Sequence, residues 1–454
     1  MRVDLVLRNV RPFGSAPVDI AIRDGRVTAI GAKLSASGPH YQGEGRDIIP
    51  GLADHHIHLF ATAAKLQSID LSDCLTEVAI RQSLIQAATQ RPDGQWLRAT
   101  GLIEPDGIIP DAAMLDRWID DRPLRVQDRT GALWVLNSAA LERLGSGPWP
   151  DCVERDAHGK PTGRIWRGDA WLRTMIADLP PSLAAISQSL AKMGVSAVTD
   201  AGAQNGPEEA RLFNQAITSG ALQQRLTVMG REDLPLSPHY KRGALKLLYD
   251  ESDLPPIDEI STRIAIARTQ SRAVAAHVVT VGELLFFLAA LGDSGGAMPG
   301  DRIEHGSLIP HSLLGDIAAT GLTIVPQPDF VRTRGDRYLK EVDPIDWPDL
   351  HRLGSLQSAG IAILGGSDAP YGAFDPWQAI NAAIKRTTIS GQSIGAEEAL
   401  NFQSALGLFL SETAIRVGQA ADFCLLDVPL VALQSGVTNN PVGTTFIDGQ
   451  FAVT

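Results

Sequence analysis

Apolar and polar residues alternate in two different ways along this chain. Near the start, "VDIAIRDGRVTAIG" holds two strictly alternating runs on either side of Asp24-Gly25. Near the end, "TTFIDGQFAV" repeats the form around Asp448-Gly449. An Asp-Gly pair between alternating runs signals a tight β-hairpin, because both central turn positions need positive φ. Both ends are therefore expected to be β-hairpins, joined in a small β-sandwich built from residues 1–49 and 405–454.

The middle follows another rule. Short apolar runs alternate with stretches of helical period, the pattern of βα units around a parallel sheet. Eight runs stand out: "GLADHHIHL", "VSAVTDA", "RLTVMG", "ALKLLYD", "AVAAHVV", "RIEHG", "LTIVPQ" and "IAILGGSDAP". Segments such as "PEEARLFNQAITSGA" and "GELLFFLAALG" separate them. Eight strands with crossovers close an α/β (β/α)₈ barrel, expected over residues 50–404. Two further strand-like runs, "WLRATGLI" and "LRVQDR", exceed the eight places. They are assigned to an insertion at about 60–185, after the first barrel strand.

Composition narrows the function classes. The chain has 454 residues, with an ordinary hydrophobic content of 44%, so a core can form without covalent staples. A formal net charge of -12 argues against an electrostatic grip on nucleic acid or acidic lipid. No window resembles a membrane span or a secretory leader. The three cysteines, Cys74, Cys152 and Cys424, are too few and scattered for a disulfide framework, and a cytoplasmic address fits. A small-molecule substrate is expected. Nothing in the pattern specifies an oligomeric interface.

The chemistry-bearing residues gather at the C-terminal ends of the expected strands, where barrel enzymes place their active sites. His56 and His58 end the first run. Residues two apart on a strand share a face, so both imidazoles can meet one metal, although two solvated loop histidines would read the same way. Asp54 shares their parity and can orient one of them or cap the strand end. His277 and His305 end later runs. Singly each reads as a structural histidine. Together, three strand ends supplying four of the chain's ten histidines read as a ligand set.

Asp368, in "ILGGSDAPYG", can bind metal and accept a proton from water, or close an Asx-turn before Pro370. Gly365 and Gly366 before it suggest a close backbone approach. Lys246 sits inside an apolar strand, where an unpaired ammonium is costly. Burial lowers an amine's pKa, and the neutral amine can take up carbon dioxide as a carbamate. An ion pair with Asp250 or Glu251, or a side chain facing water, are the competing readings.

These residues resemble a known family. "IIPGLADHHIHL" is similar to the "PGxxDxHxH" signature that opens the barrel in the amidohydrolase superfamily. The order HxH, strand Lys, two strand-end His and then Asp in "GSDAP" fits as well. "ALWVLNSAALERLG", "GKPTGRI" and "RIEHGSLI" resemble internal motifs of amidohydrolase family 3, the YtcJ-like group. The resemblance covers nearly the whole chain. It implies the barrel, the flanking sandwich, and one or two divalent metals, with zinc expected. It implies ligation by His56, His58, His277, His305 and Asp368, and favours a carbamate on Lys246. Two departures stand out. No His precedes the "LNS" motif, where many relatives carry one, and the segment "SALGLFLSETAIRVGQAAD" is compressed.

The expected reaction is hydrolysis of a non-peptide C–N bond, in a linear or cyclic amide. The metal lowers the pKa of bound water to about 7, and Asp368 shuttles the proton to the leaving nitrogen. His277 and His305 hold a second metal or assist the oxyanion. Trp134 and Asn137 can line the substrate entrance, against a favoured reading of packing and turn formation. Arg332, Arg334 and Arg337 can meet an anionic substrate, against a favoured reading as a solvated loop.

One rival is a mononuclear deaminase of an aminated ring. It needs a Glu close after the fifth-strand His, whereas Glu283 falls in the next helix and Glu304 should point to the strand face opposite His305. The other rival is a non-catalytic barrel scaffold.

Overall fold

The computed structural model describes residues 2–176, 180–437 and 439–452; positions 438, 453 and 454 of the expected C-terminal segment lie outside them. The chain divides into two compact units, Met1–Leu59 with Ser182–Thr454, and Phe60–Pro181.

The first unit contains a parallel sheet whose strands follow chain order: Leu52–Ile57, Val195–Asp200, Arg225–Gly230, Lys241–Leu247, Val274–Val278, Arg302–His305, Thr323–Val325 and Ala362–Ile363. Each falls within one of the eight apolar runs, apart from a short extension of the fourth. The last strand is brief, yet the chain beyond it returns to the first. His55 N donates to Gly365 O at 3.0 Å, Asp368 N to His56 O at 2.7 Å, and His58 N to Ala369 O at 2.9 Å. The two ends of the sheet are thereby joined, giving an α/β barrel.

Strand parity sorts the side chains. Leu245, Leu247, Val274, Ala276, Val278, Ile303 and Ile324 share a core with Ile260 and Ile264 of the helix Ile257–Thr269 and with Leu284 and Phe287 of the helix Val281–Asp293. The residues between them turn the other way. Ala244 and Ala275 join Ala201 and Met229 in a separate small core. One step further along the same face come Lys246 and His277.

The two ends of the chain meet in one mixed sheet of eight strands. Asp47–Pro50 joins them, pairing parallel to Leu5–Pro12 and antiparallel to Phe423–Leu426. Both expected hairpins form, with φ of 52° and 67° at Asp24 and Gly25, and 52° and 74° at Asp448 and Gly449. Leu7, Ile20, Ile48, Phe423 and Phe446, from both ends of the chain, share a core.

The second unit has its own six-stranded sheet, which includes Leu97–Leu102 and Leu124–Asp128, the two strand-like runs that exceeded the barrel. Among the described residues no helix is long and apolar enough to cross a membrane.

Phe287 is fully buried between helix and barrel sheet. Phe287→Ala should destabilise the protein by about 3–5 kcal/mol through lost transfer energy and the residual cavity. Urea unfolding checks this: the midpoint should fall with the slope unchanged.

Candidate active site

The first barrel strand carries Asp54 and His56, and His58 follows directly after its end. The Asp54 carboxylate accepts from His56 N at 3.1 Å and from Ser367 N at 3.0 Å. It acts on backbone rather than on an imidazole, and ties the strand to the segment that bears Asp368. That approach is close. A Cβ on Gly366 would lie 2.5 Å from His56 Cβ, so any side chain there would push the two segments apart.

This closure brings three sequence-identified residues together. One ligand atom from each of His56, His58 and Asp368 lies within 4.8 Å of the others. His56 Nε2 is 3.4 Å and His58 Nε2 3.2 Å from Asp368 Oδ1. The other two histidines adjoin them: the His305 ring centroid is 4.8 Å from that of His56 and 4.5 Å from that of His277.

Glu304 corrects the parity expectation. By alternation it shares the inward face of Arg302, and its buried carboxylate accepts from His56 Nδ1 and from Arg302. His305 should then face outward. It reaches the cluster because its φ is +71°, which breaks the strand alternation. Adjacent residues thus both serve the site. A carboxylate only accepts, so Nδ1 of His56 carries a proton and Nε2 is directed at the centre.

Gln327 does the same for His305, and sequence reasoning missed it. Its Nε2 donates to Val325 O at 2.9 Å, which turns Oε1 toward His305 Nδ1 at 2.7 Å. The signal was a buried polar residue at the end of the run "LTIVPQ".

Lys246 is buried, and its Nζ has no hydrogen-bond partner. The readings of an ion pair with Asp250 or Glu251, or of a water-facing edge position, do not apply. The amine lies in a central barrel strand, and the carboxylates acting on it are Glu304 and Asp368. Burial brings its pKa down to about 8 against their attraction. Burial and the Lys246 charge lower His277 to about 4. Burial and the His56 charge put His305 well below the usual histidine range. Burial opposes the His56 imidazolium, but Glu304 and Asp368 outweigh it and raise its pKa. Burial would also raise Asp368, but hydrogen bonds from His56 and His58 and the charges of His56 and His305 hold it well below the carboxylate range. Imidazole lone pairs and a carboxylate packed around one point, beside an orphaned amine, form a donor set that fits a divalent cation.

Other candidates lie elsewhere. Asn137 is fully buried in the second unit, where it caps the helix Ser138–Leu144. Its Oδ1 accepts from Leu124 N and Ala140 N, and its Nδ2 donates to Ile119 O and Arg122 O. No polar capacity remains for a substrate. Trp134 is buried in the same unit's core, with Arg98 and Arg125 against its ring. Both side chains are taken up in that unit's interior. Glu283 is spent on the helix start, accepting from Val279 N and Thr280 N. Arg332, Arg334 and Arg337 lie on the helix Asp329–Glu341, not on a loop.

The profile of the amidohydrolase family matches residues 44–453. The chain is 25% identical to the putative amidohydrolase YtcJ of Bacillus subtilis (strain 168), over 84% of each chain. It is 23% identical to the N-substituted formamide deformylase of Arthrobacter pascens, over 99% of this chain and 97% of that protein. Among solved structures, an uncharacterized metal-dependent hydrolase from Pyrococcus horikoshii OT3 shares the fold with a TM-score of 0.78. The identity is 20%, over 95% of this chain and 98% of that one.

The buried imidazoles set a pH dependence for the metal-free protein. His55, His277 and His351 stay neutral down to about 3, 4 and 3, and His305 is also held low. Unfolded histidines protonate near 6.5, so below that pH the unfolded chain binds more protons and stability falls, by up to about 1.4 kcal/mol per pH unit per group. Asp54, raised to about 6, and the raised Asp329, Asp422 and His56 act the other way, while the depressed Glu304 and Asp368 carboxyls add to the loss. With a chelator present, the urea midpoint should be lower at about pH 5 than at about pH 7. An equal or higher midpoint at the lower pH would contradict this assignment.

Proposed function

The chain belongs to the amidohydrolase family, hydrolases that act on carbon–nitrogen bonds, and from that premise we propose that it cleaves a non-peptide amide bond, linear or cyclic, in a small molecule. The carrying observation is the convergence of His56, His58 and Asp368 ligand atoms within 4.8 Å. Similarity to an N-substituted formamide deformylase over nearly the full length of both chains supports a small amide as substrate.

In this reading His56, His58, His277, His305 and Asp368 hold one or two divalent cations of the zinc class. The cation supplies Lewis acidity and lowers the pKa of water toward neutrality. Glu304 and Gln327 fix the protons of His56 and His305 on Nδ1, so that Nε2 of each ring stays available. Asp368, ionised at neutral pH, takes the proton lost by the attacking water and delivers it to the leaving nitrogen. The orphaned Nζ of Lys246 supports a carbamate there. The free amine adds to carbon dioxide, an N–C bond forms, one proton leaves, and an anion with two oxygen donors results.

The remaining architecture is read in the same terms. The terminal sheet is taken as a sandwich of residues 1–49 and 405–454, the barrel as 50–404, and the second unit as its insertion. Free Cys74, Cys152 and Cys424 support a reducing, cytoplasmic setting.

Asp368→Asn should lower kcat on formamides or cyclic amides by about 100- to 10,000-fold while the far-UV spectrum stays unchanged. Undiminished turnover would remove Asp368 from the mechanism. Chelation should abolish hydrolysis, and zinc or manganese should restore it. Intact mass measured under native conditions should exceed the sequence mass by one carbon dioxide, and Lys246→Ala should lack that increment. Ammonia release from an aminated purine or pyrimidine, without amide cleavage, would favour the deaminase instead.

A further inference from the structure

The helix after the seventh barrel strand carries three arginines, and their partners differ. Arg332 pairs with Asp329 at 2.7 Å, and Arg337 with Glu341 at 2.6 Å. Arg334 has no carboxylate partner among the described residues. Its guanidinium lies 3.6 Å from the Phe330 ring centroid, and Nη2 donates to Tyr371 O at 2.9 Å. Those contacts, with Tyr338 beside them, fix its plane, and a guanidinium carries five N–H groups, more than they use.

Its position is beside the metal-binding residues. Tyr371 N donates to Asp368 O at 2.8 Å, and the Tyr371 ring lies edge-on 5.9 Å from that of His58. The Tyr338 hydroxyl is within hydrogen-bonding reach of Arg334 and feels the charge of Asp368. Behind Tyr338, ring centroids 5.1 Å apart, lies buried His351, with both ring nitrogens unpartnered. Arg334 and Arg386 are the charges that act on His351. In a chain of net charge -12, Arg334 is a cation at this wall of the barrel mouth, with N–H groups its contacts do not use.

We propose that Arg334, with Tyr338 beside it, is a carboxylate-recognition subsite, and that the amide hydrolysed at the neighbouring cluster bears a carboxylate group. This rests on the amide-hydrolase reading above and names its substrate class. A guanidinium edge presents two parallel N–H groups to the two oxygens of a carboxylate. The phenol hydroxyl adds a third donor. Arg334 acts on specificity: it holds the acid end of the substrate while the amide carbonyl faces His56, His58 and Asp368.

The test compares N-acetyl and N-formyl amino acids with the matching alkyl amides, in which a methyl group replaces the carboxylate, on the metal-loaded enzyme. The ratio of kcat/KM for acid over alkyl amide should be about 10- to 100-fold, the scale of a lost charged hydrogen bond. Arg334→Met should collapse that ratio toward unity, mainly through KM for the acids, and Arg334→Lys should restore part of it. A general structural defect would lower both substrates together and leave the ratio intact, overturning the proposal.

Binding of succinate, read by titration calorimetry, needs no turnover and should weaken by a similar factor in Arg334→Met. Unchanged succinate affinity overturns the subsite. Cleavage of alkyl amides as readily as of acids overturns it too, and leaves the amide-hydrolase reading standing. Weakened succinate binding in Arg334→Met, with no amide of either kind cleaved, supports the subsite and removes that reading.

Discussion

Two imidazole nitrogens and a carboxylate oxygen, within 4.8 Å of one another, are the constraint on which the rest of this structure depends. Lone pairs that face each other in a poorly solvated interior need a cation or a proton between them. The surroundings are arranged for the first. Glu304 and Gln327 take the Nδ1 protons of His56 and His305, Asp54 grips the two backbone segments from behind, and Lys246 waits without a partner. Burial, which alone would neutralise Asp368, is overridden by the histidines around it.

The cluster also depends on backbone that departs from regular strand. His305 and Asp368 have φ of +71° and +53°, conformations that cost non-glycine residues about 1–3 kcal/mol and persist only where the surroundings hold them. At His305 the departure places two adjacent side chains, Glu304 and His305, on the same interior. At Asp368 it follows the segment that closes the barrel, where Asp368 N is bonded to His56 O. Barrel closure and site assembly are therefore one event. The hydrogen bonds that join the last segment to the first strand also carry Asp368 to the two histidines.

Charge is unevenly distributed around that centre. The chain as a whole is acidic, yet the helix that follows the seventh strand carries Arg334 without a carboxylate partner among the described residues. The two arginines that flank Arg334 on the helix are each neutralised by a local carboxylate. Arg334 is thus the guanidinium of that helix left available to an anion.

Much of this was legible along the chain. Eight apolar runs at βα spacing gave the barrel strands, because a strand buried on both faces must be continuously apolar. The Asp-Gly pairs marked both terminal hairpins, because few other residues accept the turn. His56, His58, His277, His305, Lys246 and Asp368 stood out as polar groups at or near apolar strand ends. Alternation put Glu304 on the wrong face only because it was counted from His305, which abandons the extended dihedrals the rule assumes. Gln327 was not singled out, because its role lies in an amide pinned between Val325 O and His305. Asn137 and Trp134 lay in a motif suggestive of a site but belong to an interior, since a motif records residue types and not which atoms remain unsatisfied. The sequence by itself thus determined which residues can bear chemistry and which segments are strands, since periodicity and side-chain type are local properties. Which donors face one another, which are already satisfied, and which arginine is left without a partner were decided only by the tertiary structure, because each depends on contacts between residues far apart in the chain.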